Sequence, residues 1–187
     1  MPHAALDQPS PWVARFFALT PAGGRILDLA AGSGRHTRYA RARGYAVTAV
    51  DIDVSGLADI RAEPGIEFLT ADLEGKPWPL GEGKFAGVVV TNYLHRPLLP
   101  RLVAAVEEGG VLIYETFAEG NEAFGKPSNP NFLLRPGELL DAVRGQLTVV
   151  AYEHGKIEAP RPAVIQRIAA VRGWDRARPR ALFAAAD

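Results

Sequence analysis

A loop of small residues between two carboxylates is the part of this sequence whose residue types suit ligand chemistry. Asp28 precedes the loop, and small residues occupy its alternate positions, Ala30, Gly32 and Gly34. Residues with little or no side chain let the backbone approach a ligand closely. Asp51 ends the next apolar run, and a carboxylate there can accept hydrogen bonds from the two hydroxyls of a ribose. The pattern therefore predicts a site for a ligand that contains a nucleoside.

The glycine spacing argues against a dinucleotide as that ligand. A dinucleotide loop needs Gly-x-Gly-x-x-Gly, with the pyrophosphate at a helix N-terminus. Counted from Gly32, the third glycine would fall at Thr37, and counted from Ala30 it would fall at Arg35. The carboxylate of Asp28 would also repel a pyrophosphate in a partly dry pocket, whereas it would attract a cation. The loop thus favours a cationic ligand, with NAD as the alternative.

The elements that must position these residues alternate between apolar runs and amphipathic segments. Five apolar runs predict buried strands, at 25–30, 45–50, 65–70, 84–91 and 109–117, and two more strands are expected at 146–153 and 163–171. Helices are expected after Ser10, which can act as an N-cap before Pro11, at 35–43, 54–62 and 97–108, and from Pro136. Continuous apolar runs separated by helices indicate a parallel sheet that is buried on both faces. We therefore predict an α/β fold, with a Rossmann-like, mostly parallel seven-stranded sheet, helices on both faces and an antiparallel C-terminal hairpin.

Ligands of such sheets bind at the carboxyl ends of the strands, where the strand order reverses. The first two of these strands end beside Asp28 and at Asp51, and Asp72 follows the third. All three carboxylates are therefore expected at the same edge of the sheet.

Five stretches along this sheet resemble the motifs of class I S-adenosylmethionine-dependent methyltransferases. They are ILDLAAGSG for motif I, AVDID for the second motif, TADLEGKPWPL for the third, VVVTNYLH for the fourth and EEGGVLIYETF for the fifth strand. The resemblance covers about residues 10–172 of a single domain that spans 1–187 and ends in a short polar tail. It is nearest to small bacterial methyltransferases of the tellurite-resistance-like group. Ala30 stands where this family usually has glycine.

The resemblance implies S-adenosyl-L-methionine as the cofactor and gives roles to the residues at its methionine end. The loop with Ala30, Gly32 and Gly34 would contact the methionine part of the cofactor, and the acidic Asp28, which opens the motif, would be a further cofactor-binding residue. Asn92, after the fourth strand, would lie under the same end.

The adenosine end is implied by the same resemblance. Asp51 would bind the ribose hydroxyls, and Ile52 would lie against the adenine. Asp72 would meet the adenine amino group, with the backbone of Leu73 beside it.

Two residues are candidates for a general base. His95 follows the fourth strand, and a histidine has a suitable pKa for proton transfer near neutral pH. Glu115 lies near the carboxyl end of the fifth strand. Only an acceptor that begins protonated, such as a hydroxyl, would need either of them.

The acceptor is expected to meet a long irregular segment at 118–134. Loops of this length in compact domains usually carry function. We expect the segment to form the acceptor wall together with Phe117, Asn131 and Arg135. Trp12 is a further candidate contact, because the first helix often covers the active site in the family that the sequence resembles.

The composition excludes several classes of function. Lys plus Arg and Asp plus Glu are equal at 21 each, so no global positive field exists to gather nucleic acid or anionic lipid. The chain has no cysteine, and its four histidines lack metal-ligand spacing, so no metal site is predicted. With no signal peptide or long apolar run in the sequence, we expect a cytoplasmic enzyme that methylates a small molecule. A non-catalytic S-adenosylmethionine-binding module and, less favoured, an NAD-dependent oxidoreductase are the alternatives.

Overall fold

The computed structural model describes residues 8–174, and within them it contains seven strands and four α-helices. The strands are β1 (Arg25–Leu29), β2 (Ala46–Asp51), β3 (Ile66–Thr70), β4 (Phe85–Thr91), β5 (Val106–Phe117), β6 (Thr148–Ile157) and β7 (Ala163–Val171). The helices are α1 (Pro11–Phe16), α2 (Arg35–Arg41), α3 (Leu99–Ala105) and α4 (Glu138–Val143). The predicted polar tail, from residue 175 on, lies outside the described residues.

All seven strands form one sheet in the order β3-β2-β1-β4-β5-β7-β6. The first five strands are parallel, β7 runs antiparallel to β5, and β6 runs antiparallel to β7. This confirms the predicted mostly parallel sheet with an antiparallel hairpin. The strand order reverses between β1 and β4, which places a crevice at the carboxyl ends of these two strands.

Two apolar layers cover the sheet, because the side chains of each strand alternate between its faces. On one face Leu27, Val88 and Leu112 pack with Leu102 of α3 and Leu139 of α4. On the other face α1 and α2 pack against the sheet, where the buried residues include Trp12, Val13, Phe16, Ile26, Ala40, Val89 and Ile113. These layers leave the carboxyl edge of the sheet as the place where polar residues gather.

The start of α1 matches its sequence signal. The side-chain oxygen of Ser10 accepts hydrogen bonds from the backbone N–H groups of Trp12 and Val13, and Pro11 occupies the first helical position. This capping satisfies donors that the helix itself cannot pair.

Three predicted elements differ in the structure. Residues 54–62 were expected to form a helix, but Ser55–Ile60 forms 3₁₀ turns, since Gly56 lies directly against the backbone of Gly32 and Ser33. β3 is only half buried, because it is the edge strand of the sheet.

The third difference is the C-terminal end of α3. The helix was expected to reach residue 108 but ends at Ala105, and Val106 already pairs with Phe85 of β4. The guanidinium of Arg172 donates hydrogen bonds to the carbonyls of Val103 and Val106, each at 2.8 Å. This cap from the far end of the chain satisfies carbonyls of the last turn and fixes the boundary.

Candidate active site

The loop between β1 and α2 has an open backbone surface at the crevice. Ala30, Gly32 and Gly34 all have positive φ, at 55°, 54° and 78°. A Cβ atom built on Gly32 would meet nothing within 4 Å, whereas one on Gly34 would lie 1.8 Å from the side chain of Leu57. Gly34 is therefore needed for packing, and Gly32 leaves space that a ligand can enter.

Asp51 at the end of β2 is fixed to this loop. Its Oδ2 accepts a hydrogen bond from the backbone N–H of Gly32 at 2.8 Å, and its Oδ1 accepts one from the N–H of Asp53 at 3.0 Å. Each carboxylate oxygen has a further lone pair, so Asp51 can still accept from a ligand. The next side chain, Ile52, is 68% exposed and offers an apolar surface beside the carboxylate.

Asp72 lies on the same edge after β3. Its Oδ1 accepts hydrogen bonds from the backbone N–H groups of Gly75, at 2.9 Å, and Glu74, at 3.0 Å. These two bonds, with smaller effects of Lys76 and His95, hold the pKa of Asp72 below its ordinary value. The next residue, Leu73, is buried and packs in the apolar core beside Asp72.

Asp28 points beneath the loop toward α2 and is only 2% exposed. Its Oδ2 accepts a hydrogen bond from the Thr37 hydroxyl at 2.6 Å. Burial raises the pKa of Asp28 to about 6, against the lowering effects of Thr37 and of the nearby Arg35. Asp28 therefore joins the loop to the first turns of α2 and places a buried negative charge behind the crevice.

Asn92 follows β4 on the other side of the crevice. It has a positive φ of 56° and an exposed side chain, and its N–H donates to the carbonyl oxygen of Glu115 at 2.9 Å. An asparagine tolerates this left-handed backbone better than most residues. The structure therefore brings Asn92 to the same crevice as the loop after β1.

Glu115 is held in a polar network and is not free. Its Oε1 accepts a hydrogen bond from the Ser10 hydroxyl at 2.7 Å, and its Oε2 accepts one from Arg167 at 3.0 Å. Arg167 also pairs with Glu153 and lies over the ring of Trp12, 4.6 Å from its centroid. Glu115 thus ties the N-terminus of α1 to the carboxyl end of β5 and to the middle of β7.

Arg35 is a neighbour of this network that the sequence pattern did not single out. Burial lowers its pKa, opposed by the charges of Glu115 and Asp28. Its Nη2 donates to Thr91 at 3.4 Å. The structure therefore places the charge of Arg35 within electrostatic reach of two carboxylates, Glu115 and Asp28.

His95 is half buried, and its imidazole has no hydrogen-bond partner within residues 8–174. Its charge affects Asp72, which places it on the Asp72 side of the crevice. The two candidate bases therefore differ. The His95 imidazole has no hydrogen-bond partner within residues 8–174, whereas both carboxylate oxygens of Glu115 accept hydrogen bonds.

The segment after β5 lies beside the hairpin of β6 and β7. Leu134 bridges to Ala118, and the buried Asn121 accepts a hydrogen bond from the N–H of Val164 at 3.2 Å. The guanidinium of Arg161 lies over Phe117, 5.6 Å from the ring centroid. The segment is therefore an ordered wall next to the carboxyl end of β5.

The other two acceptor-side candidates contribute backbone contacts to this wall. The carbonyl of Asn131 accepts from Arg96, and the carbonyl of Arg135 accepts from Gln166, each at 2.9 Å. Both residues are exposed, so their side chains remain available to an acceptor.

Comparisons with known proteins agree with this arrangement. Residues 26–110 match the family described as a methyltransferase domain, which includes the loop, Asp51, Asp72, Asn92 and His95. Over these residues the chain is similar to methyltransferase domains, in agreement with the resemblance of its sequence motifs. No curated protein sequence matches the chain.

Solved structures of methyltransferases share its fold. The 1,6-didemethyltoxoflavin-N1-methyltransferase of Burkholderia thailandensis, solved with 1,6-didemethyltoxoflavin and S-adenosylhomocysteine, has a TM-score of 0.66 and 21% identity, over 88% of this chain and 77% of that one. TehB from Haemophilus influenzae has a TM-score of 0.65 and 18% identity, over 82% and 58% of the two chains. A TehB-like methyltransferase from Corynebacterium glutamicum has a TM-score of 0.61 and 20% identity, over 90% and 91%. TehB and the TehB-like protein thus share the fold of this chain.

Trp12, predicted as a candidate acceptor contact, is a buried core residue in the structure. Its ring is 2% exposed, and its indole N–H donates to the carbonyl of Ile168 at 3.2 Å. The residue packs α1 onto the sheet, so we do not carry it into the acceptor site.

Two cavities lie apart from this site. Their volumes are about 220 and 290 Å³, and they share Lys84 and Ala104 in their linings, at the opposite, amino edge of the sheet. Among residues 8–174 no cluster of three or more possible ligands for a metal ion occurs. Over the same residues, no helix has the length and apolar character to cross a membrane.

Proposed function

We propose that this protein transfers the methyl group of S-adenosylmethionine directly to a small-molecule acceptor. The observation that carries the proposal is the bond between Asp51 and Gly32, because it places a ribose-binding carboxylate next to an open glycine backbone at the switch point of the sheet. The family match and the S-adenosylhomocysteine complex of the Burkholderia neighbour support the cofactor.

The residues at the crevice fit this cofactor from end to end. The methionine part would lie over the loop Ala30–Gly34 beside Asn92, the ribose on Asp51, and the adenine between Ile52 and Asp72. Carboxylates at this edge favour a cation and disfavour the pyrophosphate of NAD. When bound, S-adenosylmethionine supplies a methyl group on a positively charged sulfur, which is electrophilic without covalent help from the protein.

The protein's contribution is then alignment and exclusion of water. Correct alignment of two reactants is worth about 7–11 kcal/mol of the barrier. The wall at 118–134, with Phe117, Asn131 and Arg135, would hold the acceptor at the carboxyl end of β5. A thiol or a soft anion would need no more than this.

For an acceptor that begins as a hydroxyl, His95 is the better general base of the two candidates. Both carboxylate oxygens of Glu115 already accept hydrogen bonds, from Ser10 and Arg167. The imidazole of His95 has no such partner within residues 8–174. We therefore assign proton transfer to His95 and a positioning role to Glu115.

A small-molecule acceptor is supported by the charge of the chain. The chain has no net charge, so its composition shows no excess of basic residues that would gather nucleic acid. The remaining alternative is a module that binds S-adenosylmethionine without catalysis, since fold and cofactor site would be shared.

Transfer of a radiolabelled methyl group into a cellular metabolite extract tests the proposal. We expect label in the small-molecule fraction, and less of it with His95→Asn if the acceptor is a hydroxyl. Calorimetry with S-adenosylmethionine, S-adenosylhomocysteine and NAD runs alongside. Binding without label in any fraction would favour the non-catalytic module, and binding of NAD alone would overturn the cofactor.

A further inference from the structure

One guanidinium connects the two halves of the site. Arg96 lies directly after His95, and its Nε and Nη2 donate to the two carboxylate oxygens of Glu138, at 2.6 and 3.0 Å. The two side chains are only 26% and 16% exposed. A bidentate pair of this kind fixes direction as well as distance.

The same guanidinium also holds the end of the acceptor wall. Its Nη1 donates to the carbonyl of Asn131 at 2.9 Å, and its Nη2 donates to the carbonyl of Leu133 at 2.7 Å. Glu138 in turn accepts a hydrogen bond from the N–H of Arg135 at 2.8 Å. We call this set, formed by Arg96, Glu138 and the backbone of residues 131–135, the arginine clamp.

The electrostatics of the arginine clamp match its geometry. Burial would raise the pKa of Glu138, but the hydrogen bonds from Arg96 and from Arg135 outweigh it and leave that pKa below its ordinary value. The bond to Glu138 raises the pKa of Arg96. Both groups are therefore charged over the whole neutral range, and either one alone would be left as a half-buried charge.

The position of Arg96 in the chain connects the arginine clamp to the cofactor crevice. Residues 92–96 form one short connection after β4, which begins with Asn92 at the cofactor crevice and ends with Arg96 on the acceptor wall. Two hydrogen bonds join Asn131 and Leu133 to the Arg96 side chain, and a third joins Arg135 to its partner Glu138, so the order of this connection is linked to that of residues 131–135.

We propose that Arg96 is a positioning residue that couples occupation of the cofactor crevice to the ordering of the acceptor wall at 118–134. The inference rests on the proposed function, since it takes S-adenosylmethionine as the ligand at Asn92. A ligand that orders one end of the connection has already paid part of the conformational entropy cost of ordering the other end. The acceptor, which binds second, then meets a smaller cost and binds more tightly.

Hydrogen exchange with S-adenosylhomocysteine as the probe tests the coupling without any acceptor. In the wild type, we expect the probe to slow exchange by about fivefold both in the Ala30–Gly34 loop and in residues 118–134. In Arg96→Ala and Glu138→Gln the loop should still respond, while the response of 118–134 falls below about twofold. Arg96→Lys keeps the positive charge but cannot form the two parallel hydrogen bonds to Glu138. In this variant the response of 118–134 should be less than half of that in the wild type.

Arg144→Ala is the matched control. Arg144 pairs with Asp141 at the end of the same helix that Glu138 begins, but its side chain is 78% exposed and does not touch the wall. This variant should respond as the wild type does. A purely structural clamp would speed exchange in 118–134 equally with and without the probe, so a response that persists in Arg96→Ala and Glu138→Gln overturns the inference. Calorimetry on the same samples separates this result from a failure of the proposed function, in which the wild type would not bind the probe.

Discussion

Asp51 accepts a hydrogen bond from the backbone N–H of Gly32 at 2.8 Å, so the end of β2 and the loop after β1 are locked together. The carboxylate is thereby oriented before any ligand binds, and the glycine next to it leaves the backbone uncovered. Pre-organisation of this kind lowers the free-energy cost of binding.

Replacement of Asp51 by alanine should abolish tight binding of S-adenosylhomocysteine while the protein stays folded. Hydrogen bonds to a charged group are worth about 1.5–3 kcal/mol each, so the Kd should rise by about 100-fold. Calorimetry measures the Kd, and circular dichroism checks the fold. Asp53→Ala is the control, because Asp53 is an exposed carboxylate two residues away that accepts hydrogen bonds from Ser55 and not from the Gly32 loop. A folded Asp51→Ala variant that still binds tightly would refute the ribose assignment.

Two glycine substitutions separate backbone strain from obstruction of the crevice. Gly32 and Gly44 both have positive φ, and a Cβ atom at either position meets nothing within 4 Å. Gly32→Ala and Gly44→Ala should therefore lose a similar free energy of unfolding, about 1–2 kcal/mol. Only Gly32→Ala should weaken binding of S-adenosylhomocysteine. Its Kd should rise at least about tenfold, which corresponds to about 1.4 kcal/mol of binding free energy. Equal affinities in the two variants would mean that the ligand does not approach Gly32.

The sequence predicts those parts of the site whose residues lie close together along the chain. Asp28, the small-residue loop and Asp51 lie within one strand–loop–helix–strand unit, so their spacing alone predicts that they meet at one edge. The parts it missed depend on contacts between distant segments. Arg96 and Glu138 are 42 residues apart in the chain, and no spacing in the sequence predicts that they pair.

The same difference explains the errors in the elements. The apolar periodicity of 97–108 suits a helix, but Arg172 caps the carbonyls of Val103 and Val106 and ends the helix early. Trp12 is similar, since an aromatic residue near the N-terminus can be either a ligand contact or a core residue. Only the bond from its indole to Ile168 shows that it is packed in the core.

Asp28→Asn should make the protein more stable at pH 8 than the wild type. The pKa of Asp28 is raised from 3.8 to about 6 by burial, so its ionisation in the folded state costs free energy above pH 6. The rise corresponds to about 3 kcal/mol, which is absent below pH 3.8 and complete above pH 6. Denaturant unfolding should show the advantage of Asp28→Asn shrinking by about 2 kcal/mol between pH 8 and pH 4.5. A constant difference between the two proteins would show that Asp28 is not costly to ionise.

His36 should have the opposite effect on stability as the pH falls. It is buried, and its Nε2 accepts a hydrogen bond from the N–H of Ser10 at 3.1 Å, so it must be neutral in the folded state. Burial, with the nearby charge of Arg35, lowers its pKa from 6.5 to about 3. The unfolded chain therefore takes up a proton first, and stability that is present above pH 6.5 is lost as the pH falls toward 3.

His36→Gln keeps an oxygen that can accept from Ser10 and removes the titration. Relative to the wild type, this variant should gain about 2 kcal/mol of unfolding free energy between pH 7.5 and pH 5, since that loss belongs to His36 alone. His154→Gln is the matched control. His154 is exposed on β6, so this variant makes the same change of residue type at a histidine that is not buried. If His36→Gln and His154→Gln follow the same pH profile, the anchoring of α1 through a neutral His36 is wrong. If only His36→Gln flattens the profile, the buried neutral imidazole that accepts from Ser10 is the source of this pH dependence.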